Sequence, residues 1–452
     1  MRGSKIFKIE TKNAFASILL VANPLIWYYA VIIFLESTLT EMTSNGTLTS
    51  RDAIIIWGIH FSGIIFAALL GTLLAKKIDR NKFLMAWIAL GAISPFTLFA
   101  FGTSSLLIIG LVVLLLGISL GIGMPTCMGY YTNAVPIESR GRISGLVMLL
   151  TGVGIFAFSL FASIDLVVLG VVLVSWRLFG LLVFYKAKSK AETKKEDTTS
   201  YKHVLSQQSV VFYLIPWIMF SLVNYLAGPA QEQIINNDVA IANISLIQNI
   251  MMGIFAVIGG FLLDSVGRKR IAIAGFVMLG IDTATLGLFP TQIWSNYFSA
   301  TVDGIAFGFL WVIFIVTIWG DLSHSTNSSK YYAIGVLPFF ISKLLELTVG
   351  KEISNYIVNN AGNNGLFSFL AFFLFLAVLP LVYAPETLPE KVMKDRDLKS
   401  YVEKAKKKVQ QEAGEPQKKN SDQSIGNKDP QAKPKESGDE YEEAQKLAEK
   451  YY

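Results

Sequence analysis

The chain has 452 residues, of which 53% are apolar and only 16% charged, against roughly 25% charged in an average soluble domain. Several apolar runs exceed about 18 residues, which describes a polytopic membrane protein rather than a water-soluble domain. The single Cys127 excludes an intramolecular disulfide, and the scattered His60, His203 and His324 offer no metal set. The net charge of +6 sits in loops and tail rather than in a nucleic-acid-binding patch.

In chain order, residues 1–13 carry Arg2, Lys5, Lys8 and Lys12, which places the N-terminus on the cytoplasmic side. Twelve spans follow, at about 14–36, 53–75, 83–103, 105–132, 143–163, 165–185, 209–229, 240–263, 271–289, 296–320, 333–350 and 366–384. With that alternation the predicted inner segments before the tail hold 20 Lys and Arg, whereas the predicted outer loops hold Arg51 and Lys351 alone. Cationic loops stay inside, so both termini are expected to be cytoplasmic, in a plasma membrane protein. The polar stretch 186–208 divides the spans six and six. The expected organisation is a bundle over 1–185, a cytoplasmic linker over 186–208, a second bundle over 209–390 and a largely disordered cytoplasmic tail over 391–452.

The hairpin between the eighth and ninth spans is the most informative stretch. Gly260, Asp264, Gly267, Arg268 and Lys269 pack small residues, an acid, a turn glycine and bases between two apolar runs. Arg268 and Lys269 hold such a turn at the inner surface, but nothing about orientation requires the acid. This spacing resembles the signature loop of the major facilitator superfamily. Gly71, Arg80 and Lys82 form a damaged copy 188 residues before Gly259, Arg268 and Arg270, with Lys76 in place of Asp264 and Asp79 in place of Gly267. The loop Pro136–Arg142, containing Arg140-Gly141-Arg142, resembles a second segment of that superfamily. Pro385-Glu386-Thr387 is similar to the element after the last helix of its sugar porters. Other sugar-porter marks are missing after the sixth span and in the seventh.

The resemblance implies an all-α membrane protein of twelve helices in two pseudo-symmetric six-helix bundles, of the sugar-porter-like or general metabolite branch and prokaryotic. It also implies that the hairpin gates. Asp264 is then expected to face the N-terminal end of the fifth span, where the helix dipole, Arg140 and Arg142 are positive.

Charges inside a membrane cost about 2.5–3.5 kcal/mol on insertion scales, which makes each one a functional candidate. Lys343 and Glu346 lie roughly 15 and 20 Å into the eleventh span and share a helix face. They either neutralise each other or hold a solute or proton together. Asp303 in the tenth span is a second proton or substrate carboxylate, and His60 in the second span either titrates or packs. Asn224, Gln248 and Asn249 offer donors and acceptors to hydroxyl-rich solutes or to neighbouring helices. Arg177 and Asp282 fall on helices that the resemblance makes scaffold, so structural roles are expected for both. Trp27, Tyr28, Tyr29, Trp217 and Trp311 either stack on a ring-shaped solute or pack.

The function expected from these residues is secondary active transport of a small polar organic solute, a sugar or organic acid, by alternating access and coupled to protons. The alternative is a proton-driven exporter of drugs or hydrophobic metabolites, against which the fifth span lacks a proline after Gly152 and Gly154. A membrane sensor acting through the tail is a third reading. No nucleophile–base pair, phosphate loop or metal cluster marks an enzyme. No cofactor is expected, and the partners are the solute, protons and the bilayer, with the protein a monomer.

Overall fold

In a computed structural model the chain divides into two units, 1–396 and 397–452. The structure describes residues 11–97, 105–159, 166–187, 200–234, 238–323, 328–389 and 398. Most of the expected linker and tail, and His324, lie outside the described residues.

The first rods are α1 (Thr11–Ser44), α2 (Ser50–Leu74), α3 (Arg80–Ile93), α4 (Leu106–Gly121), α5 (Met124–Ala134), α6 (Arg140–Ser159) and α7 (Leu166–Ala187). After the short α8 (Tyr201–Ser206) come α9 (Gln208–Ile234), α10 (Asp238–Ser265) and α11 (Arg268–Leu288). They are followed by α12 (Ile293–Trp311), α13 (Ile318–Leu322), α14 (Ser328–Gly335), α15 (Leu337–Leu345), α16 (Lys351–Leu376) and α17 (Val378–Tyr383). Among the described residues nine helical stretches are long and apolar enough to cross a membrane. The longest, Ser328–Tyr383, is two helices parted at Gly362, whose φ of +72° breaks the helix and is a conformation only glycine adopts freely. Counting its two arms separately and adding α3 and α7 gives twelve rods.

Several spans differ from their expected bounds for local reasons. The first helix runs on to Ser44, past the expected 36, because no breaker intervenes. The fourth span is two helices, α4 and α5, parted at Ile122 and Gly123 and restarted by Pro125 in the first turn. The expected loops 321–332 and 351–365 are largely helical. Ser328, Ser329 and Lys330 are buried polar residues in α14, and polar α16 stays helical until Gly362. Polar composition alone misreads such helices as loops.

Helix pairings repeat along the chain. α2 packs on α4–α5 as α10 packs on α12. α3 packs on α7 as α11 packs on α16, α1 packs on α6 as α9 packs on α15, and α1 packs on α7 as α9 packs on α16. The crossings share register. A Cβ on Gly117 would strike the His60 carbonyl, and one on Gly304 would strike the carbonyl of Gln248, 188 positions after His60. Close backbone approach through small residues is how membrane helices associate without a hydrophobic drive. Between the two sets, α6 meets α10 along one seam, and α2 meets α14 and α15 along the other. π-turns at Val312–Thr317 and Glu346–Gly350 interrupt the tenth and eleventh rods, a feature that concentrates at functional sites.

Candidate functional site

Two constellations stand out, one at the hairpin end of the molecule and one deeper among the helices. At the hairpin, Gly267 turns the chain at φ +115° and α11 starts at Arg268. The first N–H groups of a helix lack intrahelical acceptors. Glu386 supplies them, taking the N–H of Arg268 at 2.8 Å and of Lys269 at 3.2 Å. A Cβ at Gly267 would collide with that carboxylate. Thus the Pro385-Glu386-Thr387 element caps the hairpin's second helix.

Asp264, with a side chain only 5% exposed, does the same for α6. It accepts the N–H of Gly141 at 2.8 Å and of Arg142 at 2.9 Å, and pairs with Nε of Arg142 at 3.1 Å and Nη2 of Arg268 at 3.2 Å. A helix N-terminus favours an anion, and glycine at 141 lets it approach, since a Cβ there would meet both Asp264 and the Gly260 carbonyl. Beside it lies Asp321, its side chain fully buried, whose two oxygens bind Arg140 and, at 3.0 Å, Nε of Arg268. Thr387 Oγ1 donates to Asp321 at 3.3 Å. Arg140 further donates to the carbonyls of Thr132 and Val135, and Arg268 to those of Leu263 and Ile137. Two acids and three arginines therefore form a lock in which Arg142 alone is partly exposed. Arg140 and Arg142 come from the first half of the sequence, and Asp264, Arg268 and Asp321 from the second. Sequence reasoning reached Asp264, Arg268, Arg140 and Arg142 but missed Asp321 and the capping role of Glu386.

The second constellation is a cavity of about 420 Å³ lined by α9, α10, α11, α12, the α15–α16 rod and the arm of α16 beyond Gly362. Along α10 its nearest lining residue, Met252, is about 18 Å from Asp264. Asn224, Gln248, Asn249, Asp303, Lys343 and Glu346 meet in it. Gln248 Nε2 donates to Asp303 Oδ2, and Lys343 Nζ sits 2.7 Å from Glu346 Oε1. Both members of that pair stay partly exposed to the cavity, at 24% and 30%. Asp282, expected to be structural, also lines the cavity; it is 4% exposed, and its Oδ1 has no hydrogen-bond partner. A lone acid midway along α11 was the signal, overridden by the scaffold assignment of that helix.

His60 is not in the cavity. It is buried at the α2–α4 crossing, where Nδ1 lies 2.9 Å from the Val113 carbonyl. Its position is the counterpart of Gln248, but the residue before Gly117 is Leu116 where Asp303 precedes Gly304. The first half thus has no carboxylate at this crossing. Arg177 donates to Asn23 Oδ1 at 3.0 Å and sits over the rings of Trp27 and Trp87. Trp217 stacks on Phe314 at 4.8 Å. Tyr28, Tyr29, Trp311, Phe339 and Phe340 meet between the halves, with Tyr29 stacked on Trp311 at 6.0 Å and 17°. These rings leave a gap of only about 20 Å³, so the centre between the halves is closed by aromatic packing. Trp311 is shared between that plug and the cavity wall.

No family model and no curated protein matches the sequence. Solved structures do match the fold. The human organic anion transporter MFSD10 (TETRAN) superposes with a TM-score of 0.62 at 11% identity, covering 82% of this chain and 99% of that one. FucP, a major facilitator superfamily transporter in the outward conformation, gives 0.64 at 12% identity, with 83% and 99% covered. The proton:xylose symporter XylE gives 0.65 at 15%, with 84% and 97% covered. With its repeated helix pairings and its twelve rods, this chain has the major facilitator superfamily fold, an all-α membrane architecture of two pseudo-symmetric six-helix bundles.

Proposed function

We propose that the protein is a secondary transporter that carries a small polar organic solute across the plasma membrane by alternating access, with proton coupling. Residues 1–185 and 209–390 would rock against each other, with both termini on the cytoplasmic side. One observation carries this reading. The lock of Asp264, Asp321, Arg140, Arg142 and Arg268 ties the two halves together at the hairpin end, while a polar cavity persists about 18 Å deeper along α10. A lock at one end and a solute-sized space beyond it are what one state of such a cycle requires. The amides of Asn224, Gln248 and Asn249 suit a hydrogen-bonding cargo, and Asp303 and Glu346 are the carboxylates offered to the proton.

A second reading, export of hydrophobic compounds, is favoured by a different space. An apolar groove of about 650 Å³ runs along the α2 seam between Leu70, Leu73, Leu205, Ile218, Leu222 and Ile341. Purified protein in liposomes discriminates. Uptake of a polar solute driven by an imposed pH gradient, lost in Asp303→Asn, supports the first reading. Substrate-stimulated efflux of an amphiphile, indifferent to Asp303, supports the second and ends the first.

A further inference from the structure

The cavity among α9–α16 has an unbalanced set of charges. Among its lining residues, Asp282, Asp303 and Glu346 bear carboxylates and Lys343 the ammonium. Lys343 is taken up by Glu346 at 2.7 Å. Asp303 has the Gln248 amide, a neutral donor. Asp282 leaves Oδ1 without a partner although the residue is only 4% exposed. A buried carboxylate oxygen without a donor is costly, and two carboxylates in one low-dielectric space repel each other. What is missing is positive charge. The rest of the wall fits that deficit, because Phe220, Phe307 and Trp311 present aromatic rings, whose faces attract cations.

Resting on the reading of this cavity as the transport site, we infer that its cargo carries a positive charge: a small organic ammonium compound, bound between the Asp282 and Asp303 carboxylates and the aromatic wall. Asn224 and Asn249 would then hydrogen-bond the polar remainder of the solute. A sugar brings no charge to either carboxylate, and an organic acid would add to their repulsion. The Lys343–Glu346 pair, neutral as a unit, lines the same cavity without cancelling the deficit.

Calorimetric titration of the purified full-length protein at fixed pH tests this, with choline, mannitol and malate as probes. Choline is expected to bind saturably while mannitol and malate do not. Asp282→Asn and Asp303→Asn, each checked for a monodisperse elution profile, should each weaken choline by at least about tenfold. Lys343→Gln should tighten it, because removing the ammonium deepens the deficit; a fold defect cannot produce that gain. Absence of choline binding overturns the inference, as does a choline affinity in both Asn variants equal to that of the unmodified protein. If mannitol or malate binds instead, and Asn224→Ala abolishes it, the cavity remains the transport site and only the charge of the cargo is wrong. If no variant in the cavity changes binding or transport of anything, the reading of the cavity falls as well.

Discussion

Asp264 accepts the backbone N–H of Gly141 at 2.8 Å, across 123 positions of sequence. That bond places an acid of the hairpin on the first turn of a helix from the other half of the chain. Its charge is shared with Arg142 and Arg268. Removing one partner of a buried ion pair costs about 3–5 kcal/mol because the remaining charge stays buried. Asp264→Asn keeps the shape and removes the charge. It is expected to slow transport in liposomes by at least about tenfold, since one locked state loses several kcal/mol relative to the other. Rates equal to those of the unmodified protein would remove the lock from the mechanism.

Asp321 sits between Arg140 and Arg268 with its side chain fully buried. Asp321→Ala leaves the Arg140 guanidinium without its anion and Arg268 with Asp264 alone. The expected loss of stability is about 3–5 kcal/mol, because Asp321 is fully buried between its partners. Thermal unfolding of the detergent-solubilised protein measures it. The double variant Asp321→Ala with Arg140→Met should recover part of the loss, because the two changes act on one interaction.

The seam between α6 and α10 is tight enough to be opened by a methyl group. A Cβ on Gly141 would fall 2.6 Å from both Asp264 Oδ1 and the Gly260 carbonyl, whereas one on Gly152 meets nothing within 4 Å. Gly141→Ala is therefore expected to destabilise by about 1–3 kcal/mol, as overpacking does, and to weaken the hairpin lock. Gly152→Ala, on the same helix, is expected to be neutral or slightly stabilising. Thermal midpoints of the two variants make the comparison.

Glu386 tests the link between the end of the last helix and the hairpin. It takes two N–H groups at the start of α11 and two of its own loop, Thr387 at 3.0 Å and Leu388 at 3.1 Å. Glu386→Ala removes all of them, and the expected cost is about 1–2 kcal/mol, as for loss of a strong N-terminal cap. Glu386→Gln, which keeps an acceptor, should cost less. Hydrogen exchange at the amides of Arg268 and Lys269 reads the cap directly.

The hairpin was legible in the sequence because its determinants are local: a turn glycine, an acid one helical turn before it and bases just after. The acid's position opposite α6 followed from the dipole of that helix. Asp321 and Glu386 were not legible as part of the lock, because they reach it from 53 and 118 positions away from Arg268. Six polar residues of the cavity could be read as intramembrane charges and amides. Asp282 could not, since its helix is scaffold by analogy and only the packing of α11 on α12 turns it inward. His60 misled for the opposite reason. Its helix position matches Gln248, but the neighbouring helix offers Leu116 where the second half offers Asp303, so the symmetry of the backbone is not carried into the chemistry.

Reciprocal accessibility of the two ends tests alternating access most directly. Cys127 is fully buried, so single cysteines can be introduced at Thr132, beside the lock, and at Gln231, at the far edge of the cavity. Rates of modification by a membrane-impermeant thiol reagent are then measured with and without Asp264→Asn. The expected result is faster modification at 132 together with slower modification at 231. Rates that change in the same direction, or not at all, would contradict a pair of bundles that open one end by closing the other.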